Sequence, residues 1–189
     1  MNFTLDNTFF TSDSHHHHRL MAKMRGFGTP ENPDLILMDE TLIKNWNSTI
    51  GEKDHVFHLG DFSWLDQHKT SNILSRLNGV KYLILGNHDW QILKPECSKH
   101  FQWIKERHEF KFDLNGKDQV IILDHYPMLS WNKAFHSSWH LFGHVHGKKP
   151  GVGLSMDVGV DCHDLKPISL RTISEIMSNK INHEKITTF

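Results

Sequence analysis

The sequence predicts an α/β fold in which short strands alternate with longer helices along one chain. Two observations predict it: apolar runs of strand length recur at five places, and segments with helical periodicity lie between the earlier ones. Strands joined by helices usually become parallel neighbours, so we expect a substantially parallel sheet in the middle of the fold. The chain has 189 residues and 38% hydrophobic content, which is enough for one sizeable core. We therefore expect a single domain over residues 1–189.

The predicted strands are short apolar runs, and each is followed closely by a polar side chain that could bind a metal ion. The runs are Thr8–Thr11, His55–Leu59, Lys81–Leu85, Val120–Leu123 and Trp139–Phe142. Their length and their content of β-branched and aromatic residues are typical of buried strands. We expect the five strand ends to meet at one rim of the fold.

The predicted helices and the remaining strands complete the pattern. Apolar residues at helical spacing run from Pro33 to Asn47, and a second helix includes Ile73 and ends near Asn78-Gly79. Ser169 is placed to cap a last helix that contains Ile173, Ile176 and Met177. Further on in the chain, Asn115-Gly116 separates two strand-like runs, Phe110–Leu114 and Gln119–Leu123, as in a hairpin, and Ser155–Val158 adds another strand. The second half should therefore be richer in antiparallel strands.

Composition excludes several classes of function. The formal net charge is −1, without a basic stripe for a long nucleic acid or a polybasic run for an anionic membrane. The two cysteines, Cys97 and Cys162, are far apart and form no CxxC pair, so neither a disulfide framework nor a thiolate zinc site is indicated. No apolar run reaches the ~18 residues that a membrane span needs. We expect a cytoplasmic protein with small anionic substrates, and the sequence carries no signal for its oligomeric state.

The residues at the predicted strand ends include seven possible metal ligands of the hard or borderline type. They are Asp13, His15, Asp61, Asn87, His125, His144 and His146. Alone, each has an ordinary explanation, because a single Asp61 or His125 at a strand end usually caps a turn or faces solvent. Their joint occurrence at five strand ends favours a site for two divalent cations around one shared carboxylate.

The five motifs also carry a resemblance. In order along the chain, Asp13-Ser14-His15, Gly60-Asp61, Gly86-Asn87-His88-Asp89, the isolated His125 and Gly143-His144-Val145-His146 resemble the signature motifs of the calcineurin-like metallophosphoesterase superfamily. The similarity is to small bacterial and phage members and covers roughly residues 8 to 175. It implies a four-layer αββα sandwich of two mixed β-sheets flanked by helices. Phe62-Ser63-Trp64 follows Gly60-Asp61 here, without the Asp-Arg pair of the protein Ser/Thr phosphatases, which argues against that branch.

Residue roles follow from the resemblance, position by position. It implies that one cation is held by Asp13, His15 and His146. It implies that the other is held by Asn87, His125 and His144, with Asp61 bridging the two. His88 would be the catalytic histidine, oriented by a hydrogen bond from its second ring nitrogen to Asp89. Mn²⁺ is the expected metal, and Fe, Zn²⁺, Ni²⁺ and Mg²⁺ are also compatible with this ligand set.

The implied activity is hydrolysis of phosphate esters through a metal-bridging hydroxide, with a phosphodiester on a nucleotide-like or other small molecule as the expected substrate. Candidate substrate-binding residues are His18, Arg19 and Trp64. His18 and Arg19 lie in the loop after the first motif, together with Lys23 and Arg25, and Trp64 could stack on a nucleobase, as could Trp90. A solvated loop and simple packing at the rim are the alternative explanations.

Two other functions remain open on the sequence alone. A metal-dependent nuclease of the same superfamily would need a DNA-binding surface, for which the charge distribution gives no support. A non-catalytic interaction module could use the same scaffold with eroded motifs, but here the ligand set and His88 are complete. The chain therefore favours a small-molecule phosphoesterase.

Overall fold

Two β-sheets face each other in the computed structural model, which describes residues 3–182. The strands within this range are β1 (Thr8–Thr11), β2 (His55–His58), β3 (Val80–Ile84), β4 (Phe101–Lys105), β5 (Arg107–Leu114), β6 (Lys117–Asp124), β7 (Trp139–Phe142), β8 (Ser155–Asp157) and β9 (Ile168–Ser169). The helices are α1 (Arg19–Met24), α2 (Leu35–Thr49), α3 (Gln67–Arg76), α4 (Pro95–Ser98) and α5 (Leu170–Ser178). This arrangement confirms the predicted α/β fold with two mixed sheets and accompanying helices.

The first sheet has the strand order β4-β3-β2-β1-β9. Its first four strands are parallel, and β9 alone runs antiparallel to β1. The carboxyl ends of β1, β2 and β3 consequently lie side by side at one edge, which is where ligands bind in parallel α/β sheets. The predicted parallel sheet is confirmed, and it places three of the five motifs together.

The second sheet has the order β5-β6-β7-β8. The predicted hairpin joins β5 to β6, and Asn115 and Gly116 at its tip have the positive φ angles, 55° and 80°, of a two-residue hairpin turn. The other antiparallel pair among the described strands joins β9 to β1, so the second half is richer in antiparallel strands, as expected. However, β6, β7 and β8 are mutually parallel, which the sequence did not predict. The connection over residues 125–138 is long enough to cross back and place β7 parallel to β6.

The main core lies between the sheets and is built on stacked aromatic rings. Phe57 of the first sheet stacks on Phe10 at 5.3 Å and on Phe110 of the second sheet at 5.1 Å between ring centroids. Such pairs add to the stabilisation from apolar burial. Leu170, Ile173 and Met177 of α5 complete the same core.

Helices α2 and α3 cover the opposite face of the first sheet. Trp46 and Ile43 of α2 and Leu74 of α3 pack against Val56 and Leu83 of the sheet. On the outer face of the second sheet, Val120 and Ile122 pack against Trp131 and Ala134. Each sheet is therefore buried on both faces, which explains why its strands read as continuous apolar runs.

Side-chain caps set the beginnings of the predicted helices. Asp34 accepts a hydrogen bond of 2.9 Å from the amide of Leu37, so α2 begins after Pro33 rather than at it. Ser169 accepts from the amide of Thr172 at 3.1 Å, as the sequence predicted for α5.

None of the helices formed by residues 3–182 combines the length and apolar character that spanning a lipid bilayer requires.

Candidate metal centre

The backbone is unusual at most of the predicted metal ligands. Five of the seven have φ in the left-handed region, which L-residues with a Cβ seldom adopt: Asp13 (56°), His15 (46°), Asp61 (58°), His144 (71°) and His146 (50°). Each such residue costs of order 1–3 kcal/mol and persists only where the surrounding structure holds it. Backbone strain of this kind concentrates at functional sites. Here the strained residues all lie in the loops that follow β1, β2 and β7.

Glycines in three of the motifs let neighbouring loops approach closely. Gly60 has φ 97°, and a Cβ there would lie 2.5 Å from the amide nitrogen of Gly86. A Cβ on Gly143 would overlap both Ser12 Oγ and Asp13 Oδ2. The glycines of these motifs thus make space for the ligand loops to pack against one another.

The first ligand cluster joins the ends of the two sheets. Asp13 and His15 follow β1, and His146 follows β7. His15 Nε2 lies 3.7 Å and His146 Nε2 lies 4.0 Å from Asp13 Oδ1. These separations are too long for hydrogen bonds, but they suit two ligands that share a cation about 2.0–2.2 Å from each.

The second cluster contains Asp61, His125 and His144, whose ligand atoms also lie within 4.8 Å of one another. Asn87 joins it, since its Oδ1 is 3.2 Å from His125 Nε2 and also accepts from the hydroxyl of Tyr126 at 3.5 Å. His125 donates from Nδ1 to the carbonyl of Leu59 at 2.7 Å, which leaves the lone pair of Nε2 facing the cluster.

Asp61 connects the two clusters. Its Oδ2 lies 3.6 Å from His15 Nε2 of the first cluster and 3.6 Å from His125 Nε2 of the second. Its other oxygen, Oδ1, accepts from the backbone amide of His88 at 3.0 Å. One carboxylate oxygen therefore lies between the two sets of candidate ligands, and its bridging of two cations stays a prediction.

The donors fit divalent cations. Asp13 Oδ2 accepts from Ser12 Oγ at 2.6 Å and from the amide of His144 at 2.9 Å, whereas its Oδ1 is buried without a hydrogen-bond partner among the described residues. A buried carboxylate oxygen left without a partner is costly unless a cation meets it. Carboxylate, amide and imidazole donors suit Mn²⁺, Zn²⁺, Fe, Ni²⁺ and Mg²⁺ to different degrees, so these residues can hold the implied ions.

Burial sets the charge of the ligands in the absence of metal. It raises the pKa of Asp13 to about 6 and lowers the pKa of His15 to about 2. The pKa of His144 is also lowered, chiefly by burial, whereas the hydrogen bond to Asp161 raises that of His146. The neutral imidazole of His15 has its lone pair available, and cation binding would favour the ionised form of Asp13.

Asp161, which the sequence did not assign, and Arg25, which it assigned to another role, hold the first cluster in place. His146 donates from Nδ1 to Asp161 Oδ2 at 2.7 Å, and Arg25 donates to both oxygens of Asp161 at 2.7 and 3.0 Å. Arg25 also donates to the carbonyl oxygens of Asp13 and Ser14. Its side chain is 4% exposed, so the expectation that Arg25 could hold substrate is wrong. No signal in the sequence pairs residues this distant along the chain.

Asp89 does not orient His88. Its carboxylate is buried and accepts from the backbone amides of Asp61 at 2.8 Å, Phe62 at 2.9 Å and Gly86 at 2.8 Å. Within residues 3–182 the His88 ring makes no hydrogen bond to it. The turn that follows Gly86 directs the two side chains apart, so the predicted role of Asp89 is corrected to that of a support for the backbone around Asp61.

The predicted substrate residues fall at different places. Trp64 and His18 line the same cavity as the ligands, with their rings 4.2 Å apart, and His18 also caps α1 through a 3.4 Å bond from the amide of Met21. Arg19 is exposed, donates to the carbonyl of Glu31 at 2.6 Å and lines only an adjoining cavity. Arg19 shares that adjoining cavity with His18 and Trp64 and is not among the residues that line the ligand cavity, so its role in substrate binding stays a prediction.

Comparison with known proteins places the chain among relatives. No family model matches it. It is 31% identical over 180 residues to "Uncharacterized protein MJ1445" of Methanocaldococcus jannaschii, and the match covers 89% of this chain and 90% of that protein. The chain belongs to the family of MJ1445.

Phage proteins and a solved structure are also similar to this MJ1445-family chain. "Gene 66 protein" of Mycobacterium phage D29 is 27% identical over 191 residues, covering 87% of this chain and 93% of that protein. The crystal structure of "the Protein of Unknown Function AQ665" from Aquifex aeolicus matches 89% of this chain and 98% of its own, with a TM-score of 0.64 and 25% identity.

Proposed function

We propose that this protein is a phosphoesterase of the calcineurin-like metallophosphoesterase type that depends on two divalent cations. The observation that carries the proposal is the position of Asp61 Oδ2, which lies 3.6 Å from a histidine nitrogen of each ligand cluster. One carboxylate shared between two sets of ligands would hold two cations close together, as two-metal hydrolysis of phosphate esters needs. Strained backbone at five of the seven ligands supports a functional origin for the cluster.

The chemistry can be divided between the cations and the protein. When bound, two divalent cations would neutralise phosphate oxygens and lower the pKa of an attacking water. Asp13 and Asp61 are the only carboxylates among the seven ligands, so the loaded site would keep a net positive charge for an anionic substrate. His88 lines the same cavity, and its ring lies 6.1 Å from the ring of His15. From there it can donate a proton to the departing oxygen.

The size and surroundings of the cavity favour a small substrate. Its volume is about 260 Å³, and its lining includes the ligands His15, Asp61, His144 and His146. Lys148 at its edge adds one positive charge. Because the whole chain has a net charge of −1, its surface outside the cavity would attract the phosphates of a long nucleic acid only weakly. We therefore infer a small substrate. The resemblance adds a nucleotide-like phosphodiester as the expected substrate, Mn²⁺ as the expected metal and the cytoplasm as the expected location of the protein.

Metal content and hydrolysis test the proposal together. Protein stripped with a chelator and reloaded in turn with Mn²⁺, Ni²⁺, Zn²⁺ and Mg²⁺ should bind two ions per chain. It should hydrolyse bis-p-nitrophenyl phosphate faster than p-nitrophenyl phosphate, with the highest rate in Mn²⁺. Reconstitution that never exceeds one ion per chain, or two ions without hydrolysis of either ester, would overturn the proposal. Salt-sensitive cleavage of DNA would favour the nuclease instead.

Two variants separate metal binding from chemistry. Asp61→Asn should reduce the occupancy of both ions, because Asp61 serves both clusters. His88→Ala should retain both ions and lose turnover by about 10²-fold or more, the contribution typical of a positioned acid. His136→Ala is a matched control, since His136 is exposed and lies in the connection over residues 125–138, away from the ligands. Normal turnover by metal-loaded His88→Ala protein would remove His88 from the mechanism.

A further inference from the structure

A second cavity adjoins the one that contains the metal ligands. It has a volume of about 300 Å³, at the lower end of the range for small-molecule pockets, and is lined by Trp64, Trp90, Gln91, Asp66 and His88 among others. We call it the tryptophan cavity. Trp64 and His88 line both cavities, so they form the wall between them. A substrate with its phosphate among the metal ligands could extend past this wall.

The tryptophans leave aromatic surface open to solvent. Trp64 is 49% exposed and Trp90 is 64% exposed, which is unusual for the largest apolar side chain. Trp64 touches His18 and His88, whereas within residues 3–182 no other ring lies against Trp90. The ammonium group of Lys94 lies over the Trp90 ring, 5.6 Å from its centroid. Open indole faces beside a candidate catalytic histidine suit stacking of a planar aromatic group.

Charge distinguishes the tryptophan cavity from its neighbours. Its lining contains the carboxylate of Asp66 and no lysine or arginine. The cavity on the other side of Trp64 is lined instead by Arg19 and Lys23. Asp66 is itself paired with Lys69 at 3.5 Å, and no cationic side chain of the lining is available to hold a second phosphate. The indole surface therefore favours a neutral planar group. The side-chain oxygen of Gln91, buried without a partner among the described residues, offers an unused hydrogen-bond acceptor.

The position of His88 indicates which part of the substrate would occupy the tryptophan cavity. Hydrolysis forms a P–O bond from water, breaks the P–O bond to the leaving group and moves a proton to the leaving oxygen. If His88 supplies that proton, the leaving group must lie on its side of the phosphate. We infer that the tryptophan cavity is the leaving-group subsite and that it takes a nucleoside, with its base stacked on Trp90 and Trp64. This inference rests on the proposed function and adds the identity of the leaving group.

Ligand binding tests the subsite independently of turnover. Adenosine 5′-monophosphate and ribose 5-phosphate share a phosphate and a sugar and differ only in the base. Intrinsic fluorescence should report the stacked base, because Trp64 and Trp90 are the exposed tryptophans. Calorimetry should measure the affinities of both ligands, also in variants that lack a tryptophan. With Mn²⁺-loaded protein we expect the nucleotide to bind about tenfold more tightly than the sugar phosphate, as one stacked base provides. Equal affinities, or binding of neither ligand, would overturn the inference.

Variants of the cavity sharpen the test. Trp90→Leu should abolish most of the preference for the nucleotide and leave the affinity for ribose 5-phosphate unchanged. Trp90→Phe should restore part of that preference. Leu93→Ala is a matched control, because Leu93 is 56% exposed, three residues from Trp90, and outside the cavity lining. An equal loss of preference in Leu93→Ala and Trp90→Leu would also overturn the inference.

Failure of the subsite can be told apart from failure of the proposed function. Two bound ions and hydrolysis of bis-p-nitrophenyl phosphate, without any preference for the nucleotide, would refute the subsite alone. Adenosine has no phosphate, so titrating it into metal-free protein tests binding to the tryptophan cavity alone. Quenching by adenosine that is lost in Trp90→Leu would support the stacking site even in protein that takes up no metal. No quenching would count against it.

Discussion

Nδ1 of His146 donates a hydrogen bond of 2.7 Å to Oδ2 of Asp161, and this bond leaves the other ring nitrogen, Nε2, pointing at Asp13. Arg25 holds the same carboxylate, so Asp161 is itself oriented. Burial alone would raise the pKa of Asp161, but the bonds from His146 and Arg25 outweigh burial and hold the pKa below its usual range. The ionised carboxylate therefore orients His146 with Nε2 toward Asp13, as a role in metal binding would need.

Asp161→Asn should weaken metal binding at the first cluster. Removing a partner of this type typically costs 10- to 100-fold in metal affinity, because the ligand loses both its orientation and part of its basicity. We expect that loss for the ion held by Asp13, His15 and His146, with the other ion retained. Chelator competition that resolves two binding steps would measure it. Asp164→Asn, an exposed neighbour, is the control, and an equal weakening of both steps would contradict the prediction.

Gly143→Ala should displace Asp13 by steric overlap, without adding strain to the backbone at residue 143. The added methyl would overlap Ser12 Oγ and Asp13 Oδ2, whereas the φ of Gly143 is not in the left-handed region. We expect loss of metal at the first cluster together with a lower melting temperature. Gly116→Ala is the complementary control: Gly116 has φ +80°, and a Cβ there meets nothing within 4 Å. It should cost about 1–2 kcal/mol of stability and leave metal binding intact. Full metal uptake by Gly143→Ala would refute the argument.

Local sequence patterns predicted most of the fold, because strands that are buried on both faces of a sheet appear in the sequence as continuous apolar runs. Thr8–Thr11 and Trp139–Phe142 begin and end where expected, and Asn115-Gly116 turns the predicted hairpin. The parallel pairing of β6 and β7 was missed. The connection over residues 125–138 holds only a short 3₁₀ turn, Ala134–His136, so it carries none of the helical periodicity that usually reveals a crossover.

The residues that gather at the candidate metal centre could be predicted, whereas the residues that support them could not. Ligand types recur in short motifs at strand ends, which parallel strands bring to one edge. Arg25 and Asp161, in contrast, meet only through the tertiary fold, across 136 positions of the chain. Asp89 was misassigned because adjacency to His88 does not fix the direction of a side chain in a tight turn. Such roles depend on backbone angles that composition and spacing do not determine.

Buried His140 should make stability depend on pH. Burial lowers its pKa from 6.5 to about 4, although the nearby carbonyl oxygens of Ile122 and Tyr126, which favour the protonated ring, oppose the shift. The folded pKa lies below the unfolded one, so the stabilisation is present above pH 6.5 and is lost as the pH falls through 4. We expect a loss of about 3 kcal/mol from this group between pH 7 and 4.

Urea denaturation at several pH values would measure the effect of His140. His140→Gln should be less stable than the wild-type protein at pH 7 but should lose less of its stability on acidification, since no imidazole remains to be protonated. His136→Gln, at an exposed histidine, should follow the wild-type curve. Parallel curves for His140→Gln and wild type would show that His140 does not contribute to the acid sensitivity.

Asp89→Asn tests whether this residue supports the backbone or orients His88. Its carboxylate accepts from the amides of Asp61, Phe62 and Gly86 and is 1% exposed. An amide group in its place would turn an N–H donor toward another donor, at a cost of about 2–3 kcal/mol. Because Asp61 would move as well, metal occupancy at both clusters should fall. An orienting role for Asp89 predicts the opposite, namely the behaviour of His88→Ala, with normal stability, two bound ions and slow turnover. Urea denaturation and metal analysis of the two variants side by side would decide between these roles.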